Sequence, residues 1–207
     1  MEFLAWAFLA LAPCFVDSTA IGYSNSTPST VTSSSLSFGP HYAVLNLDLI
    51  NAFVGSINAT SQGQAFIKNT AKWIDATISD LGNITESDVE SHLYQAFKPL
   101  SDYDVVLQKT RYYAGAENTL VQILRNHKIN TVVLSGLRTS GVVLTTAQRL
   151  FDLDFNVYVI ANNTIEMGSD AAMIYDAILQ GILPKMPLNV ITVEQAIDAL
   201  SRSKVAY

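Results

Sequence analysis

From residue 42 onward, short apolar runs alternate with longer stretches whose apolar residues recur at helical spacing. The run 42–47 (YAVLNL) is built of strand-forming residues and ends on Asp48. Residues 64–81 bring Phe66, Ile67, Ile74, Ile78 and Leu81 to one side of a helix that stops at Gly82-Asn83. Thr85-Glu86-Ser87-Asp88 has the form of a capping box with Asp in place of Glu, and predicts a helix running to Phe97. Further strands are predicted over 104–108 (DVVLQ), 131–135 (TVVLS), 156–161 and 188–191. Helices are predicted over 118–127, over 140–153 with Val143, Thr146, Ala147 and Leu150 inward, over 169–182, and over 192–200 with Thr192 and Gln195 as its capping pair. No strand pattern is evident between 82 and 103.

Strands that are apolar throughout, rather than alternating, belong to a sheet covered on both faces. Their regular alternation with helices predicts the α/β class: a three-layer α/β/α architecture around a mostly parallel five- or six-stranded sheet. In such a sheet ligands sit beyond the carboxyl ends of the strands, near the point where strand order reverses. The residues that follow the strands are therefore the candidates for chemistry: Asp48, Lys109, the turn from Gly136 to Gly141, and Asn162.

The first forty residues break this pattern. Phe3 to Val16 form an apolar run interrupted by Pro13 and followed by Asp17-Ser18-Thr19-Ala20. That run is short for a bilayer span and has the length of a signal-peptide core, with small residues at Ser18 and Ala20 and with Glu2 but no Lys or Arg before it. The expected organisation is a signal peptide over 1–20, a Ser/Thr-rich linker over 21–39 and one domain over 40–207. A secreted chain with no membrane span after signal removal follows. Its only cysteine is Cys14, so signal removal leaves no thiol for a disulfide, a metal site or a nucleophile. In a secreted chain the sequons at Asn25, Asn58, Asn83 and Asn162 are glycosylation candidates.

Composition narrows the function classes. The hydrophobic share of 49% supports a sizeable core, and the net charge of −6 with 12 scattered Lys and Arg argues against nucleic acid as a partner. The three histidines, His41, His92 and His127, show no ligand spacing, so no metal and no cofactor are expected. A carboxylate at the mouth of an apolar strand, as at Asp48, tends to a raised pKa and can act as acid or base. An ammonium at Lys109 would hold that carboxylate or an anionic substrate group. Small residues in Gly136-Leu137-Arg138-Thr139-Ser140-Gly141-Val142-Val143 let backbone N–H groups at a helix start face an anion. Each feature also has a plain structural reading, as a cap, a solvated cation or a packing turn.

Together and in this order, these residues resemble the isochorismatase-like (cysteine hydrolase) superfamily. YAVLNLDLINAF is similar to its first strand, placing Asp48 at the catalytic aspartate and Asn51 and Phe53 at the following Asn and Phe. The stretch from DVVLQKTRYY to VYVIANNT is similar to its lysine strand, glycine turn, nucleophile helix and next strand. The resemblance spans roughly residues 42 to 200. It implies an Asp-Lys-Cys triad, small-molecule substrates, assembly into homo-oligomers, and a strand between the first helix and the lysine strand. Departures are equally plain. The family's Cys position falls on Val142, its Gln after the aspartate on Ile50, an aromatic after the lysine motif on Gly115, and an acidic residue after the fifth strand on Asn162. Gly115 is expected to open the pocket.

The thiol-free isochorismatases of the superfamily suggest the first functional reading. It is a hydrolase of a small, anionic metabolite, working by vinyl-ether hydrolysis with Asp48 as general acid, Lys109 positioning it, and Arg138, Thr139, Ser140 and Gly141 contacting substrate. The alternative is a catalytically inactive member, a pseudoenzyme that binds a small molecule or a partner. An amidase using Ser140 ranks last, because no base accompanies it.

Overall fold

The computed structural model describes residues 5–11, 35–77, 97 and 104–203. Six strands form one sheet: β1 (Ala5–Leu11), β2 (Tyr42–Leu47), β3 (Asp104–Lys109), β4 (Thr131–Leu137), β5 (Asn156–Ile165) and β6 (Asn189–Ile191), in the order β3-β1-β2-β4-β5-β6. β2, β4, β5 and β6 are successive parallel neighbours. β1 is antiparallel to both β2 and β3, so β3 runs in the same direction as the parallel set without touching it.

The helices are α1 (Asn51–Ile57), α2 (Ser61–Thr77), α3 (Leu120–Asn126), α4 (Leu144–Phe151), α5 (Ala171–Asp176) and α6 (Val193–Ser203). Successive residues of a strand face opposite ways, and the two cores sort accordingly. Ala43, Leu45 and Leu47 of β2 and Val132 and Leu134 of β4 pack with Leu120 and Leu124 of α3 and Ala147 and Leu150 of α4. On the other face Val44 and Val133 pack with Trp73 of α2 and with Val193, Ala196, Ala199 and Leu200 of α6. Burial on both faces explains why these strands show no polar alternation.

Tyr42–Leu47, Asp104–Lys109 and Thr131–Leu137 are strands and Val193–Ser203 is a helix, as their periodicity predicts. The capping pair of the last helix is reciprocal: the Thr192 N–H donates to Gln195 Oε1 at 2.8 Å, and the Gln195 N–H donates to Thr192 Oγ1 at 3.2 Å. Two predicted helices are divided. The 140–153 helix begins as a π-helical turn at Thr139–Val143, and the 169–182 helix passes from α5 into a π-helical turn at Ala177–Ile182. The helix predicted from Thr85 lies outside the described residues, apart from Phe97.

Two findings on strands differ from expectation. Ala5–Leu11, inside the run read as a signal-peptide core, forms the strand between β2 and β3. The fifth strand runs on to Ile165 instead of stopping at Ala161. Its pairing with β4 shifts between Leu134↔Val159 and Gly136↔Thr164, so β5 carries extra residues in a bulge. The polar residues there are used by neighbouring helices. Asn162 Oδ1 accepts the Val193 N–H at 2.8 Å, Asn69 Nδ2 donates to the Asn162 carbonyl at 2.7 Å, and the Thr70 hydroxyl donates to Asn163 Oδ1.

Candidate functional site

Chain order reverses at β2. From there the path leads to β3 on one side of the sheet and to β4 on the other. The carboxyl ends of β2, β3 and β4 thus frame a topological switch point, where open α/β sheets hold ligands. Asp48 follows β2 directly and takes φ 55, a left-handed conformation that Asp and Asn tolerate better than most residues. Behind it, Gly136 of β4 has φ 127, and a Cβ at that position would lie 2.1 Å from the Leu47 carbonyl oxygen. The glycine therefore lets β4 approach the backbone that carries Asp48.

Lys109 ends β3 and turns inward. Its Nζ lies 2.9 Å from Asp48 Oδ2, with the two side chains only 4% and 8% exposed, and it also donates to the Arg111 carbonyl at 3.1 Å. Asp48 Oδ1 is buried and has no hydrogen-bond partner among the described residues. Burial pushes the Asp48 carboxyl up to about 6, outweighing the Lys109 ammonium, whose charge and hydrogen bond draw it down. The pair is thus a desolvated acid with one oxygen held by a cation and one buried oxygen without a partner among the described residues.

The turn after β4 forms the other wall. Thr139 is buried, and its hydroxyl shares a 3.1 Å hydrogen bond with that of Thr164. Arg138, half exposed, places Nε 3.0 Å from Glu166 Oε1 and donates through Nη2 to the Met167 carbonyl at 3.3 Å. The Ser140 N–H donates to Glu166 Oε2 at 2.7 Å. Gly141 lies against the Tyr112 ring, where a Cβ would meet ring carbons at 3.2 Å. Val142 is buried and packs into the apolar core with Val143 and Ala147.

Sequence reasoning missed Glu166. The residue that follows β5 is this buried acid, not Asn162, which lies inside the strand. Burial alone would raise the Glu166 pKa, but hydrogen bonds from Ser140, the Met167 N–H and Arg138 together hold it below the ordinary value. The available signal was the β-branched pair Thr164-Ile165 just before it, which extends the strand pattern past the two asparagines. The expectation for Gly115 also needs correction. Its missing side chain does not leave an opening, because the Tyr113 ring fills that space, with its hydroxyl 2.6 Å from where a Cβ would stand.

The four sequons fall in different settings. Asn25 and Asn83 lie outside the described residues. Asn58 is exposed in the turn after α1, where its Oδ1 accepts from Gln64 Nε2. Asn162 is half-buried, and its side chain holds the start of α6. Among the described residues no group of three His, Cys, Asp or Glu gathers as a metal site, and no helix is long and apolar enough to cross a membrane.

Comparison with known proteins agrees with this fold. The isochorismatase domain family matches residues 42–195. Among solved structures, an isochorismatase-like hydrolase from Alkaliphilus metalliredigens superposes with a TM-score of 0.62 at 20% identity, over 78% of this chain and 97% of that one. A cysteine hydrolase from Pseudomonas syringae pv. phaseolicola gives a TM-score of 0.64 at 15% identity, over 86% of this chain and 100% of the other. An N-carbamoylsarcosine amidase from Thermoplasma acidophilum gives 0.53 at 20% identity, over 73% and 94%. At these identities the likeness is one of fold. No curated protein matches the chain in sequence. The family match covers most of the chain, including both partners of the buried ion pair and the turn beside them, and the chain belongs to the isochorismatase family.

Proposed function

We propose that this chain hydrolyses a small, anionic metabolite by vinyl-ether chemistry, with Asp48 as general acid and no thiol nucleophile. The observation that carries this reading is the buried Asp48–Lys109 contact at the switch point, with one carboxylate oxygen unpartnered among the described residues. A carboxyl that titrates at about 6 is protonated in roughly a tenth of molecules at pH 7, against fewer than about one in a thousand at its ordinary value. The acid gives its proton to the vinyl carbon. Water adds to the resulting oxocarbenium carbon, its proton returns to the Asp48 carboxylate, and the neutral hemiketal separates into a ketone and an alcohol. Lys109 steadies the carboxylate left behind. In this reading Arg138, whose Nε is held by Glu166, and the Ser140-Gly141 turn meet the substrate's anionic group.

Acyl transfer has less support. Val142 is an alkyl group in the core and the Thr139 hydroxyl is tied to Thr164, while Glu166, which takes hydrogen bonds from both the side chain and the backbone N–H of Ser140, is held below its ordinary pKa and is a weak base. The same burial of Val142 favours the second reading, an inactive member that binds a small ligand or a partner.

The test is turnover of isochorismate and of a panel of small amides by wild type and by Asp48→Asn. Asn suits the left-handed backbone at this position, so the variant removes the acid with little strain. Turnover of isochorismate alone is expected, falling at least ~100-fold in the variant. Equal rates in the two proteins would sink the mechanism. Ligand binding without turnover of any panel member would leave the inactive reading standing.

A further inference from the structure

β3 is an edge strand, and it joins the sheet only through β1. Lys109 therefore reaches the site from a strand that does not touch the strand of Asp48. The registers make this concrete. Lys109 lies opposite Ala5, and Leu47, the residue before Asp48, lies opposite Ala7. Adjacent strands lie about 4.8 Å apart, so β2 and β3 are separated by roughly 10 Å across β1. The 2.9 Å contact between Lys109 Nζ and Asp48 Oδ2 is made over the start of β1, at that separation. Closing β3 directly onto β2 would bring the backbones about 5 Å nearer. Leaving the slot empty would strand two rows of backbone N–H and C=O groups without partners. The first arrangement changes the spacing of the pair, and the second leaves the sheet unsatisfied on both sides of the slot. The sequence offers no strand pattern over 82–103, whereas AWAFLAL near the N-terminus is apolar throughout.

We propose that Ala5–Leu11 is a positioning strand of the working protein, retained rather than removed with residues 1–20, and that it sets the spacing from which Lys109 pairs with Asp48. The inference rests on that pair being the site, but the strand can be tested apart from catalysis.

A protease site placed within 21–34 of the full chain allows the connection to be cut in the folded protein. The N-terminal fragment is expected to co-elute with the remainder on gel filtration and to separate only in denaturant. Amides of 5–11 should exchange with solvent as slowly as those of 42–47. A fragment that leaves while the remainder stays folded, with Asp48 titrating at an unchanged pH, overturns the proposal. In the full chain, Ala7→Pro breaks the strand where it meets both neighbours. Loss of Lys109's influence, with Asp48 still buried, should move the Asp48 titration upward and speed exchange over 104–109. Unchanged titration and exchange in this variant also overturn it. An inactive wild type that holds its fragment would count against the proposed chemistry and leave the strand assignment intact.

Discussion

Replacing Lys109 by Met isolates the electrostatics of the candidate site. Met keeps the length of the stem and removes the ammonium that lies 2.9 Å from Asp48 Oδ2. In wild type, burial raises the Asp48 carboxyl to about 6 even with Lys109 beside it. The sign follows from linkage. A folded-state pKa above the unfolded value of 3.8 means that stability from the neutral acid is fully present below 3.8 and is lost as pH rises through 6. Above pH 6 the wild-type chain limits the loss by ionising Asp48 against Lys109. The variant has no cation there, so Asp48 either stays protonated or sits charged and unpaired. In the limit where it stays protonated, each pH unit above 6 adds the free energy of one pKa unit. The extra destabilisation is then at most about 1 kcal/mol at pH 7 and about 3 kcal/mol at pH 8, and close to nothing from this source at pH 5. Breaking a buried pair without such an escape would instead destabilise by about 3–5 kcal/mol at any pH where both groups are charged. Urea unfolding of both proteins at pH 5, 7 and 8 distinguishes the cases. Destabilisation that does not change between pH 5 and pH 8 would refute the reasoning, because it would mean that Asp48 does not titrate in this range.

Three further outcomes are expected. Glu166→Gln keeps the shape of the carboxylate but weakens its bonds from Arg138, Ser140 and the Met167 N–H. Because the Glu166 pKa is depressed, its stabilisation is present above its unfolded value of 4.5 and lost as pH falls below it, so the variant should be less stable by about 1–3 kcal/mol at pH 7 and approach wild type at low pH in thermal melts. Gly136→Ala forces a Cβ to within 2.1 Å of the Leu47 carbonyl at φ 127, and soluble yield or a melting temperature well below wild type is the readout; an unperturbed melt would contradict the close approach. Val142→Cys, made in a Cys14→Ser background, should lose about 1 kcal/mol, show no amidase activity, and react with a thiol reagent only on unfolding, since a buried thiol in apolar surroundings has a raised pKa.

What the sequence showed and what it concealed divide along physical lines. β2, β4 and most of β5 were legible because burial on both faces leaves an unbroken apolar run, and α6 because Thr192 and Gln195 sit at capping-box spacing. Asp48 and Lys109 were legible as strand-end residues, and their spacing left open whether the ammonium would meet the carboxylate or a substrate anion; the structure has it meet the carboxylate. Glu166 was hidden by its neighbours. Asn162 and Asn163 look like a loop, yet they lie in a bulge whose polar groups serve α2 and α6, and the strand resumes beyond them. The Gly115 expectation failed for a different reason. A missing side chain opens space only if no neighbour moves in, and Tyr113, two residues earlier, occupies it.

The N-terminal strand is the most instructive case, because composition cannot separate its two readings. A signal-peptide core and a strand slotted into a sheet are both short, apolar and uncharged. The two readings differ in what the remaining chain lacks. With no strand pattern over 82–103, the lysine strand has no predicted route into the sheet, and the resemblance implies a strand in just that place. The sheet order gives that place to Ala5–Leu11, between the strand of Asp48 and the strand of Lys109. A gap in the expected set of strands was therefore itself a signal. Read together with an apolar run elsewhere in the chain that has the length of a strand as well as of a signal-peptide core, it points to the segment on which the proposed positioning of the acid and its cation depends.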